Sequence, residues 1–209
     1  MNQISRKGSS QPSPSTQNLK LSAKIRKPLP NRICQADIFC NLRVTEDVTI
    51  DRSNIILTEI SFPYLVCLSQ ECDLERDYEE QEEKISVPTT KNLMHIAFAP
   101  AFIFDDFLTG DHWGDLYSKS ASGKRKDTKI KAIIDNETSR YHYLKFSHDD
   151  QLDGKKMPEL IIDFKHYYTI NKKIIYENMD KRLCSIDDLF REKISQRFSY
   201  FHSRIGLPA

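Results

Sequence analysis

The stretch that most constrains this chain spans residues 62–75. There Phe62-Pro63 leads into the apolar run Tyr64-Leu65-Val66-Cys67-Leu68, and the polar cluster Ser69-Gln70-Glu71-Cys72-Asp73 follows at once. The run is short, lacks a helical period and has proline at its entry, which together read as a buried strand. Small polar side chains delivered at the exit of a core strand sit on a rigid scaffold, a common way to hold binding groups. Ser69, Gln70 and Asp73 are therefore candidate binding residues for a phosphate–sugar backbone or another polar ligand. The same side chains also suit the capping of a turn. The neighbours of Cys72 are acidic, a setting that disfavours a thiolate nucleophile.

Other elements follow from periodicity. Residues 35–44 and 53–60 have strand composition, with a charged loop or hairpin at 45–52 between them. Residues 92–98 read as a further strand stopped by Pro100, and 140–144 as another. Residues 160–168 alternate, which places Asp163, Lys165 and Tyr167 on one face and Ile162, Phe164 and His166 on the other. Residues 102–108 suit a short amphipathic helix closed by Gly110, and residues 127–136 carry apolar side chains at helical spacing. The acidic stretch 74–84, with only Leu74 and Tyr78 apolar, reads as a solvated helix or an acidic loop, the loop being favoured.

A long C-terminal helix is expected over 185–205. Ser185 and Asp188 make a capping-box-like start, apolar residues recur every three or four positions, and Gly206 and Pro208 mark the end. With no βαβ alternation, the predicted fold class is α+β: a small, strongly bent antiparallel sheet or barrel with a long C-terminal helix packed on it. The predicted organisation is a disordered basic leader over 1–30 and a single domain over 31–209, with an insertion around 102–136.

Charge is segregated although the chain is close to neutral. Residues 1–30 hold six Lys or Arg and no acid, residues 71–83 hold eight acids and one Arg, and residues 119–131 hold six bases and one acid. Patches of this kind favour docking with partners. Lys124, Arg125 and Lys126 head a candidate phosphate-contacting loop at 119–131, a stretch that also suits a plain solvated loop. The five cysteines form no CxxC pair, which argues against a disulfide framework or a zinc site and for a reducing compartment. No apolar stretch approaches the ~20 residues of a membrane helix. The expected location is cytoplasmic, and no cofactor is expected.

Two pieces of the chain resemble the opening of the MazF/PemK growth-inhibitor toxins. Ala36-Asp37-Ile38-Phe39 is similar to that family's Gly-Asp-Ile/Val-Val-type first strand. Phe62-Pro63-Tyr64-Leu65-Val66-Cys67-Leu68-Ser69 is similar to its Arg-Pro-Ala-Leu-Val-Leu-Ser, with one residue added before the serine. The resemblance implies an SH3-like barrel, a bacterial defence or toxin–antitoxin-type setting, and metal-independent ribonuclease activity. Phe62 stands where the family carries an active-site arginine, and Phe98-Ala99-Pro100-Ala101 lacks the threonine of the family's Pro-x-Thr-type turn.

Two functional expectations result. The first is a barrel-like interaction module that binds a protein partner, with nucleic acid as a possible second partner through the basic loop or the basic leader. The second is a ribonuclease with a rebuilt site. Arg140 and His142 would share one strand face, which is the minimum for metal-free phosphodiester cleavage: one group stabilises charge and the other moves a proton. His95, inside an apolar strand, reads as a hydrogen-bonded core residue. His112, His148 and His166 share no metal-like spacing with carboxylates, so no metal site is assigned.

Overall fold

The computed structural model of the chain describes residues 22–51, 54–83, 89–113, 127–148, 150–152 and 154–204. Its strands are β1 (Ile25–Arg26), β2 (Ile38–Asp51), β3 (Asn54–Cys67), β4 (His95–Ile103), β5 (Tyr141–Leu144), β6 (Gln151–Leu152), β7 (Lys155–Lys156), β8 (Leu160–Asp163), β9 (Tyr168–Asn171) and β10 (Arg182–Ile186). Its helices are α1 (Glu71–Glu82), α2 (Phe104–Thr109), α3 (Asp127–Ile134), α4 (Lys172–Glu177) and α5 (Asp188–His202). One sheet runs in the order β1-β10-β2-β3-β4-β8-β5, with β9 also paired to β4. Each of these pairings is antiparallel.

The sheet curls into a half-barrel far enough for its two ends to be tied. The Ala23 N–H donates to the Lys145 carbonyl at 2.8 Å, and the Ser147 N–H donates to the Ala23 carbonyl at 3.0 Å. Tight curling leaves little room inside, and small side chains fill it: Ala23, Ala36, Ala99 and Ala101 are fully buried beside Ile38, Val66 and Ile162. The C-terminal helix α5 packs Phe190, Ile194, Phe198 and Phe201 onto this interior. A second core on the other side of the strands is built from aromatics, including Phe39, Phe62, Phe98 and Phe102. The strongly bent antiparallel sheet with a C-terminal helix is thus the architecture expected from the sequence.

Several local expectations need correction. The runs at 53–60 and 64–68 are one strand, β3, paired along its length with β2, and the 45–52 stretch extends β2 to Asp51. Pro100 does not stop β4, which continues to Ile103. Ala97 directs its N–H and carbonyl towards the end of β3, so alternation points the position of the missing Pro100 N–H the other way. On that side β9 pairing ends at Phe98 and β8 pairing begins at Ala101, so no ladder bond is lost. The 160–168 stretch is not one strand. It breaks at Asp163, whose carboxylate accepts from the Lys165 N–H at 3.1 Å and starts a 3-10 turn over Phe164–His166.

The acidic stretch is the helix α1, and its inward face explains why hydrophobic periodicity misses it. Beside Leu74, the residues it buries are Asp77 and Glu80. Asp77 accepts from the Lys172 ammonium at 2.7 Å and from the Leu93 N–H at 2.7 Å. The expected cap of α5 is also displaced. Ser185 is a buried residue of β10 whose hydroxyl donates to Asp37, and the N-cap is Asp187, which accepts from the Phe190 N–H at 3.3 Å. His95 is an exposed residue at the start of β4 and not part of the core. Gly110 closes α2 as expected, at φ 84°, a left-handed position where glycine carries no steric cost. α5 ends at His202 with Ser203 as its C-cap, short of the expected 205. Gly206, residues 1–21 of the leader and Lys124, Arg125 and Lys126 lie outside the described residues.

Candidate functional site

The exit of β3 opens into a cleft of about 350 Å³ between the start of α1 and the last turns of α5. Ser69, Gln70 and Asp73, the residues singled out from sequence, all line it. Ser195, Ser199 and His202 face them from α5, and Phe198 supplies an apolar wall. The spacing 195, 199, 202 puts three polar side chains on one helical stripe, because residues three and four apart share a face.

Each side of the cleft is held by identifiable contacts. Ser69 is not a cap: its Oγ accepts from the Ala97 N–H at 2.9 Å and extends the β3–β4 ladder by one bond. That leaves its own O–H able to donate into the cleft. Gln70 is the N-cap of α1 through its backbone, with no side-chain capping bond. Glu71 fixes the start of the helix, accepting from Arg32 Nη2 at 2.5 Å and from the Gln35 N–H at 2.7 Å. A carboxylate in the first turn also complements the helix dipole. On the opposite wall, the His202 imidazole packs edge-on against Phe198 and Tyr167, with ring centroids 4.6 and 5.0 Å away. The cleft therefore offers hydroxyls, one amide, one carboxylate and one imidazole around an apolar floor, a composition suited to orienting a polar ligand.

The second expected constellation is rearranged. Arg140 and His142 share no hydrogen bond. His142 is buried, with both ring nitrogens lacking a hydrogen-bond partner among the described residues. Burial, and then the positive charges of Arg197 and Lys193, push its pKa down to about 3, so the ring is neutral. Arg140 instead forks onto Asp163, with Nε 2.9 Å from one carboxylate oxygen and Nη2 2.6 Å from the other. His166 Nδ1 lies 2.9 Å from the same carboxylate. Trp113 stands edge-on to the His166 ring at 4.5 Å. Burial alone would raise the pKa of Asp163, but the hydrogen bond and charge of Arg140, and then His166, overcome it and hold the carboxyl below its ordinary value.

Sequence reasoning missed this Arg140–Asp163–His166 group because alternation put Asp163 and His166 on opposite faces. The 3-10 turn brings them to one side. A signal was present in the Asp-x-Lys sequence itself, since an aspartate that captures the N–H two residues on begins a turn.

The thiols divide by burial. Cys34, Cys67 and Cys184 are buried and free. Burial, and then the nearby carboxylate of Asp37, pushes Cys34 and Cys184 up to about 12. They are inert small apolar groups. Asp37 itself is fully buried against Arg182 at 3.0 Å, and burial raises its pKa despite that ion pair and its hydrogen bonds. Among the described residues, no cluster of three or more His, Cys, Asp or Glu is arranged to hold a metal ion, and no helix is long and apolar enough to cross a membrane. No protein-family model, curated protein or solved structure matches the chain.

Proposed function

We propose that this chain is a barrel-like interaction module of a bacterial cytoplasmic defence or toxin–antitoxin-type system, and that the cleft between β3 and α5 receives a segment of a protein partner. The carrying observation is the convergence of Ser69, Gln70 and Asp73 with Ser195, Ser199 and His202 around one opening. Polar groups spread round an apolar floor suit the backbone and side chains of a peptide, with Asp73 placed for a basic side chain or an N–H. The Ser69 hydroxyl is engaged by the sheet, and the His202 ring is packed among aromatics, an arrangement for binding more than for nucleophilic attack. The defence or toxin–antitoxin-type setting comes from the toxin resemblance of β2 and β3. Nucleic acid is a second partner in this proposal, contacted through the basic stretches of the sequence.

A second reading has its own observation. Arg140 and His166 share the buried carboxylate of Asp163, a pairing of charge stabiliser and proton carrier suited to a metal-independent ribonuclease. One experiment separates the two. The purified chain is incubated with a mixed RNA pool in chelator and, in parallel, co-expressed with the product of an adjacent gene. The module predicts intact RNA and stable co-purification, weakened about tenfold or more by Ser199→Arg, which fills the cleft. Cleavage that disappears in Arg140→Ala and His166→Ala would instead establish the enzyme.

A further inference from the structure

The hairpin formed by β2 and β3 outruns the body of the protein. β10 pairs with β2 only at Ile38 and Phe39, and β4 pairs with β3 only from Tyr64 to Cys67. Beyond those points, among the described residues, the two strands have no other strand partner and are paired with each other as far as Asp51 and Asn54, leaving the core past Val44 and Ile60. A two-stranded ribbon is marginal in water unless one of its faces is covered.

The two faces of this arm differ in kind. Side chains opposite each other in the ladder share a face, and Val48 pairs with Leu57 as Ile50 pairs with Ile55. These four aliphatic side chains form one contiguous surface, with residue exposures of 55, 57, 74 and 69% in that order. The other face carries Asp47 opposite Thr58, Thr49 opposite Ile56, and Asp51 opposite Asn54. The segregation depends on Glu46, the extra residue that shifts the register between Thr45 and Asp47. Were Glu46 paired in a regular register, with no bulge, Asp47 and Thr49 would swap faces with Val48.

We infer that this aliphatic face is the contact between two copies of the chain, stacked face to face as two ribbons. Charge favours a second copy. The carboxylates of Asp47 and Asp51 lie on the far face, so two aliphatic faces meet without like charges opposed. Glu59, at the base of the aliphatic face, has Arg43 3.8 Å away. Area favours it as well. Four half- to three-quarter-exposed aliphatic side chains from each copy remove on the order of 1,000 Å² in total, the floor for a specific interface. A short peptide laid on the same face would contribute less than a second arm.

The test is sedimentation velocity and light scattering of the full chain from about 1 to 100 µM, a range that brackets ordinary dimer affinities. Wild type is expected to be a concentration-dependent dimer. Ile55→Lys and Leu57→Lys should each weaken it about tenfold or more, with an unchanged far-UV spectrum. Ile56→Lys, one residue away on the opposite face, should leave it intact. A wild-type monomer at every concentration overturns the inference, and a monomer that captures a different protein through this face would make that protein the occupant. A dimer indifferent to Ile55→Lys, or equally sensitive to Ile56→Lys, overturns it too.

Discussion

His142 is an imidazole enclosed by the core with neither nitrogen paired among the described residues, and its environment makes stability depend on pH. Its folded pKa, about 3, lies below the ordinary value of 6.5. The unfolded chain therefore takes up a proton that the folded chain refuses. The stabilisation is complete above pH 6.5 and is lost progressively as pH falls towards 3. Replacing His142 with leucine should flatten this part of the stability curve, measured by urea unfolding at pH 7, 5.5 and 4. At pH 4 the variant should be the more stable of the two, and equal acid slopes would refute the assignment. Asp163 contributes in the same direction at lower pH, because its carboxyl is held below its ordinary value. Ser69, Gln70 and Asp73 were legible in the sequence because they are neighbours in the chain. The partner of Arg140 was not, since Asp163 lies 23 residues away and only the β5–β8 pairing brings the two together.

At the scale of elements, α1 depends on polar contacts. Lys172 bridges the buried Asp77 and the Asn92 side chain, both at 2.7 Å, and so ties α1 to the junction of β9 and α4. Removing one partner of a buried ion pair leaves an uncompensated charge, which costs about 3–5 kcal/mol. Lys172→Met should therefore lower stability by that order, with loss of helical signal, as read by thermal melts followed by circular dichroism. A variant as stable as wild type would show that α1 does not depend on this ion pair. An amphipathicity reading scores Asp77 and Glu80 as outward-facing, and so favours a loop over residues 74–84. By contrast, α5 follows from its spacing of apolar residues, but its first turn is displaced, because β10 takes Ser185 and Ile186 for the sheet, and it ends at His202 with Ser203 as its C-cap.

The whole molecule is a curled sheet whose interior is covered by its last helix. Cutting the chain after Ile186 keeps β10 but removes α5, exposing the apolar interior beside Ala99, Ala101 and Ile162. That truncated chain is expected to aggregate or to bind a hydrophobic dye more strongly than full-length protein. A soluble, cooperatively melting truncation would show that α5 is peripheral to the core. What the sequence by itself determined is local: the buried strand at 64–68, the polar cluster at its exit, and the apolar stripe of the last helix. Each is written in side chains a few residues apart, where periodicity and burial act together. Tertiary structure alone decided that β2 and β3 run on as a two-faced arm, that Arg140 serves Asp163 and His166, and that Ser69, Gln70 and Asp73 meet a stripe of α5. These outcomes rest on sheet register, one bulge and long-range pairing, which are energies of contact between distant segments.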